Sequence, residues 1–216
     1  MSFRNKKFIL FDLDGCLLNT SRGIETSIEY TLREIGETLP GGVSLSQFIG
    51  PPIQHSFKHL LNLNDNAALD AAKIFRDYYK EDALFLAEVY PGIINLLQEL
   101  NRRGFLLGIA TYKREDYALK LIRHFGLDVS FQTMRGADMN GVMTKTDIIC
   151  ECVRELGCQI PNGVMIGDTM HDLGAARALD MDFIGVTWGY GFKSDDIKND
   201  WIQVNYPSDI LEYIAL

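Results

Sequence analysis

Phe8-Ile9-Leu10-Phe11-Asp12-Leu13-Asp14-Gly15-Cys16-Leu17 is the stretch from which the fold is read. Phe8 to Asp12 predicts a short buried strand, because a nearly all-apolar run of this length suits a central parallel strand covered on both faces. The strand stops on two carboxylates and a glycine. Period-two alternation places Asp12 and Asp14 on one side of an extended chain. Two acids side by side at the end of a buried strand repel each other and resist desolvation. A divalent cation offsets both effects, since hard cations take carboxylate oxygens. In open α/β sheets, ligands also collect beyond the carboxyl ends of the strands. A chance Asp-x-Asp in a turn is the competing reading, and the rest of the sequence decides between the two.

The chain has 216 residues, 47% of them hydrophobic, enough for one large domain or a core with a small insert. Its net charge of -8 argues against nonspecific binding to nucleic acid or to an anionic membrane. A phosphorylated substrate stays compatible, because a local site can be positive on an acidic protein. No apolar run approaches membrane-spanning length. The basic opening, Met1 to Lys7, precedes an apolar stretch too short for a signal peptide. A soluble, cytoplasmic protein is expected. Cys150 and Cys152, two apart on a predicted helix, do not face each other and make a poor metal pair. All four cysteines, with Cys16 and Cys158, are expected as reduced thiols, most of them packing.

After Cys16 the periodicity turns helical. Ile24, Ile28, Leu32 and Ile35 share a face, and Gly36 is a stop. Gly50-Pro51-Pro52 is a rigid turn. Ile53 to Leu61 reads as a helix. A longer helix is predicted from about Asn66 to Leu86, with Leu69, Ala72, Phe75, Tyr79, Ala83 and Leu86 on one side. From Val89 strand and helix alternate. Strands are predicted at Phe105–Ala110, Val129–Met134, Gly163–Gly167, Phe183–Thr187 and Trp201–Val204, with helices between them and a last helix from Pro207. Such alternation means a parallel sheet with helices on both faces and right-handed crossovers.

Polar residues gather at the ends of separate strands: Asp12 and Asp14, then Thr111, then Asp168 and Asp172. In a parallel sheet those ends share one edge. Asp168 and Asp172 can reach one cation if a helix begins at or just before Asp172; a solvated first-turn acid is the alternative. Thr144 to Asp147 resembles a capping box, which puts Lys145 in a first helical turn. A lysine there opposes the helix dipole unless an anion is present, and an exposed lysine is the alternative. Acids that bind a metal, one carboxylate free to attack, a hydroxyl and a lysine suit phosphoryl transfer through a covalent aspartyl-phosphate. Thr111 and Lys145 would hold the non-bridging oxygens as charge develops.

These four blocks, in this order and at these strand ends, resemble the haloacid dehalogenase-like hydrolase superfamily over nearly the whole chain. The resemblance implies an α/β fold, a doubly wound parallel sheet with an inserted all-helical cap: a catalytic core from 1–16 and 89–216 and a cap from 17–88. It implies Asp12 as nucleophile and Asp14 as general acid, then base. It implies Mg²⁺ held by Asp12, the backbone carbonyl of Asp14 and Asp168, with Asp172 in support. The second acid at Asp14 favours a phosphatase over the dehalogenase branch. Phe48 to Pro52 and Gly185 to Gly191 resemble loops of the phosphoglycolate phosphatase-like group, which makes Gly50 and Pro51, with Tyr112 and Lys113, specificity candidates.

The expected function is hydrolysis of a small phosphorylated metabolite, such as phosphoglycolate, a nucleotide or a sugar phosphate, by a monomer or homodimer without nucleic-acid or membrane partners. A hexose-phosphate mutase and a non-catalytic metal- or phosphate-binding regulatory protein are the alternatives. A receiver domain lacks a helical insert of this size. Cys16, Asn19, Tyr112 and Thr146 depart from the family pattern, and none removes a catalytic group. His55 and His59, four apart, have no third ligand nearby and are expected to pack or face solvent.

Overall fold

The computed structural model describes residues 3, 5–139, 141–193 and 201–214. Its centre is β1 (Phe8–Phe11), all four residues fully buried. Around it lie β4 (Leu106–Arg114), β5 (Thr133–Ala137), β6 (Gly163–Gly167), β7 (Asp182–Val186) and β8 (Ile202–Val204) in the order β5-β4-β1-β6-β7-β8. Every pairing is parallel, and Phe8 lies opposite both Leu106 and Gly163. A short ribbon pairs β2 (Leu18–Asn19) with β3 (Glu88–Val89). The chain divides into two compact units, 1–19 with 89–216 and 20–88.

In the sheet unit the helices are α4 (Ile93–Arg102), α5 (Glu115–His124), α6 (Lys145–Glu155), α7 (Met170–Ala178) and α8 (Ile210–Tyr213). The α4 stripe of Ile93, Leu96, Leu97 and Leu100 is buried as its periodicity requires. On one sheet face Phe8, Leu10, Ala110 and Met165 pack with Ile148, Ile149, Cys152 and Leu173 of α6 and α7. This packing is the doubly wound α/β architecture expected of apolar strands that alternate with amphipathic helices. All four cysteines are free thiols; Cys16 and Cys152 are buried, Cys158 half-buried and Cys150 exposed.

The unit of 20–88 is built from α1 (Ser21–Ile35), α2 (Ile53–Leu60) and α3 (Asp65–Tyr78). Phe48, Phe57, Phe75 and Tyr79 form a chain of ring contacts 5.5 to 6.2 Å apart. Gly36 ends α1 in the left-handed region, φ 69°.

Four local expectations are corrected. Leu69 is 49% exposed, because α3 buries Ala68, Ala71, Ala72 and Phe75 and small alanines let neighbouring helices approach. That helix does not run to Leu86: it passes at Tyr79–Ala83 into a single π turn, which turns Ala83 and Leu84 inward. Val129 is 85% exposed in the 3-10 turn Asp128–Ser130, and the strand begins only at Thr133. The β4 strand continues through Thr111, Tyr112 and Lys113 to Arg114, with a register shift against β5 between Ala110 and Arg114. Such bulges re-aim side chains near active sites.

Candidate active site

Asp12 follows the last residue of β1, and its N–H donates to the carbonyl of Ile166 at 2.9 Å, so the β1–β6 ladder fixes its backbone. Thr111 lies in the irregular end of β4, Lys145 begins α6, Asp168 follows β6, and Asp172 sits in the first turn of α7. All five side chains are buried.

The parallel sheet brings the acids together. One carboxylate oxygen from each of Asp12, Asp168 and Asp172 lies within 4.8 Å of the others. Lys145 Nζ stands 2.7 Å from Asp12 Oδ1 and 2.8 Å from Asp172 Oδ1. Its place in the helix follows from the capping box: Thr144 Oγ1 accepts the Asp147 N–H at 3.2 Å, and Asp147 Oδ2 accepts the Thr144 N–H at 2.9 Å. A buried lysine at a helix N-terminus is disfavoured by the dipole, and the two acids compensate. Burial pulls the Lys145 ammonium toward neutrality, but Asp12 and Asp172 together hold it above the ordinary lysine value.

Burial pushes the Asp12 carboxyl up from 3.8 to about 6; Lys145 opposes the shift, and Asp172 and Asp14 add to it. Burial likewise raises Asp168 well above the usual carboxylate range, with Asp12 and Asp172 reinforcing it. Three buried acids share one lysine, so ionising all of them would leave negative charge uncompensated. Asp168 Oδ2 accepts the Tyr190 N–H at 2.7 Å, while Oδ1 is buried with no hydrogen-bond partner among the described residues. A carboxylate oxygen left orphaned beside two further acids fits a divalent cation. Asp172 is engaged otherwise: its Oδ2 accepts the Thr169 N–H at 3.1 Å and the Thr169 hydroxyl at 2.8 Å.

Asp14 is half-buried and turned to a different partner, Lys113, whose Nζ donates to its two oxygens at 3.2 and 3.1 Å. Thr111 Oγ1 accepts the Lys113 N–H at 3.2 Å. Tyr112 accepts the Lys145 N–H at its hydroxyl, 2.9 Å away. Gly50 and Pro51 belong to the helical unit, between the 3-10 turn Leu45–Phe48 and α2, with Gly50 at φ 111°. There the His55 and His59 rings are 4.1 Å apart. His171 is exposed and edge-on to Tyr112.

The seat of Asp168 is not readable from its own neighbourhood in sequence. A side chain at Gly15 or Gly189 would collide with its carboxylate, and one at Gly191 with its backbone carbonyl. Trp188 Nε1 donates to the Cys16 carbonyl at 3.0 Å, and the Tyr190 hydroxyl to Asn19 Oδ1 at 3.1 Å. The only sequence signal is the glycine spacing of the late loop. The Cys16 thiol is directed at the Ile166 carbonyl of β6 at 3.6 Å.

Comparisons with known proteins bear on this arrangement. Residues 9–186 match the family described as Haloacid dehalogenase-like hydrolase. The chain is 34% identical over 203 residues to a 5'-nucleotidase of Pseudomonas aeruginosa, which covers 94% of this chain and 91% of that protein. It is 26% identical over 209 residues to a phosphoglycolate phosphatase of Aquifex aeolicus, covering 95% of each. The solved structure of the Mycobacterium tuberculosis Protein Tyrosine Kinase A (PtkA) is similar with a TM-score of 0.83 at 28% identity, over 97% of this chain and 98% of that one. The chain thus belongs to the haloacid dehalogenase-like hydrolases, as a phosphoric monoester hydrolase.

Proposed function

We propose that this enzyme is a Mg²⁺-dependent phosphatase that cleaves a small phosphorylated metabolite through an aspartyl-phosphate on Asp12. The observation that carries the reading is the buried set of Asp12, Asp168 and Asp172 within 4.8 Å, with Lys145 on two of them. Asp12 and Asp168 would hold the metal with the Asp14 carbonyl, and Asp172 would support from its pair with Lys145. Bound there, Mg²⁺ supplies positive charge that screens Asp12 from the phosphoryl oxygens.

The residues then divide the work. A carboxylate oxygen of Asp12 attacks phosphorus, and the bond to the leaving oxygen breaks as the new P–O bond forms. Lys145 and the Thr111 hydroxyl hold the non-bridging oxygens. Asp14 gives its proton to the leaving oxygen, then takes one from the water that attacks the acyl-phosphate, which frees phosphate and restores Asp12. The helical unit of 20–88, with Gly50 and Pro51, is the proposed source of substrate selection.

The test is phosphate release from a panel of 5'-nucleotides, phosphoglycolate, pyrophosphate and hexose phosphates, with wild type, Asp12→Asn and chelator controls. Turnover that disappears with chelator and in the variant supports the reading. Transfer from ATP to protein tyrosine, with no phosphate released from any ester, would overturn it in favour of the activity named for the kinase relative.

A further inference from the structure

We propose that Tyr112 is a positioning residue that sets Lys145 at its working distance from Thr111. The inference rests on the reading of Lys145 as an oxyanion-holding group. The first N–H groups of a helix have no partner within it. In α6 the capping box satisfies Asp147 through Thr144, but the N–H of Lys145 finds its acceptor 33 positions away, in the Tyr112 hydroxyl at 2.9 Å. Lys145 Nζ lies 5.7 Å from the centroid of the same ring, within reach of a cation–π attraction. His171 packs edge-on to that ring, 5.7 Å between centroids. One side chain therefore bonds the backbone of Lys145 and lies within cation–π reach of its ammonium, which Asp12 and Asp172 bind directly at 2.7 and 2.8 Å.

Tyr112 is also the residue after Thr111. It comes from the stretch of β4 where the register against β5 shifts, so local pairing leaves this segment less constrained than a regular strand. The hydroxyl bond to α6 supplies a constraint there. It ties the end of β4, which carries the site hydroxyl, to the start of α6, which carries the site ammonium. Oxyanion stabilisation depends on donors placed where charge develops, and displacements of about 1 Å lower rates on the order of 100-fold. A residue that fixes the spacing of two such donors acts on the transition state without touching it.

The experiment compares wild type, Tyr112→Phe, Lys145→Met and the double variant. It reads the affinity for orthovanadate and for inorganic phosphate, kcat and KM separately, and amide exchange at residue 145. In Tyr112→Phe the Lys145 amide should exchange about tenfold faster, and orthovanadate affinity and kcat should each fall about five- to tenfold. Phosphate affinity and KM should move less than twofold. In the Lys145→Met background, Tyr112→Phe should have no further effect on orthovanadate. Equal losses of Tyr112→Phe in both backgrounds, or an unchanged amide, would overturn the positioning role while the reading of Lys145 survives. Unchanged orthovanadate affinity in Lys145→Met would remove that reading and the inference with it. The amide measurement needs no Lys145 variant, so refutation does not depend on that variant folding.

Discussion

At the residue scale, the site is an electrostatic compromise held by packing. Asp12 is buried before any ligand arrives, and burial raises its carboxyl to about 6 from 3.8. A carboxyl raised in the folded state stabilises that state below the unfolded pKa, and the contribution is lost as pH rises through the folded one. For metal-free protein the window is therefore about pH 4 to 6. Asp12→Asn removes the titration. Its stability relative to wild type should grow by about 3 kcal/mol across that window, and chelated samples unfolded in urea at several pH values would reveal it. A flat difference between the two proteins would contradict the assigned burial effect. The same variant should show no detectable phosphate release, since an amide cannot form the acyl-phosphate.

At the element scale, α6 and α1 each depend on one small detail. Thr144 starts α6 and thereby places Lys145. Thr144→Ala should lower stability by about 1 kcal/mol, and orthovanadate affinity should fall with it because the first turn frays. Calorimetry and anion titration of the same variant check both halves of the claim. In α1, a side chain at Gly23 would collide with the backbone carbonyl of Ala83, and the Gly23 N–H donates to the Leu86 carbonyl at 3.1 Å. Gly23→Ala should therefore destabilise the helical unit by about 1–3 kcal/mol, visible as lost amide protection in α1 and α3. Retained protection there would show that the helix can shift at little expense. Periodicity located α3, but it put Leu69 on the buried side, because it cannot tell that alanines rather than leucines face α1 and α2.

At the scale of the whole molecule, the proposed Mg²⁺ site would link stability to function. Any ligand that binds the native state alone stabilises it by mass action. Mg²⁺ at about 100 times its Kd should add about 2.7 kcal/mol, a rise in Tm of roughly 5–10 °C. Asp168→Asn should abolish most of that rise and leave the chelated protein no less stable than wild type, because its orphaned oxygen no longer carries charge. Thermal scans with and without chelator test this. An undiminished Mg²⁺ shift in that variant would place the cation elsewhere.

Short-range periodicity encodes the local elements of this chain. The apolar runs of β1, β6 and β7, the α4 stripe, the stop at Gly36 and the Thr144–Asp147 capping box were all legible, since each depends on neighbours two to four residues apart. So was the gathering of Asp12, Asp168 and Asp172 at one sheet edge, because strand–helix alternation forces a parallel sheet; Lys145 was expected in a first helical turn, and the structure supplied its pairing with Asp12 and Asp172. Tertiary structure alone decided which group each acid meets. Asp14 turns to Lys113, Asp168 rests against Gly15, Gly189 and the Tyr190 N–H, and Tyr112 spends its hydroxyl on Lys145. These partners are tens of positions or more apart, and no local pattern selects among them. They are chosen by strand order and register, which bring distant backbone groups to within a hydrogen bond of each other.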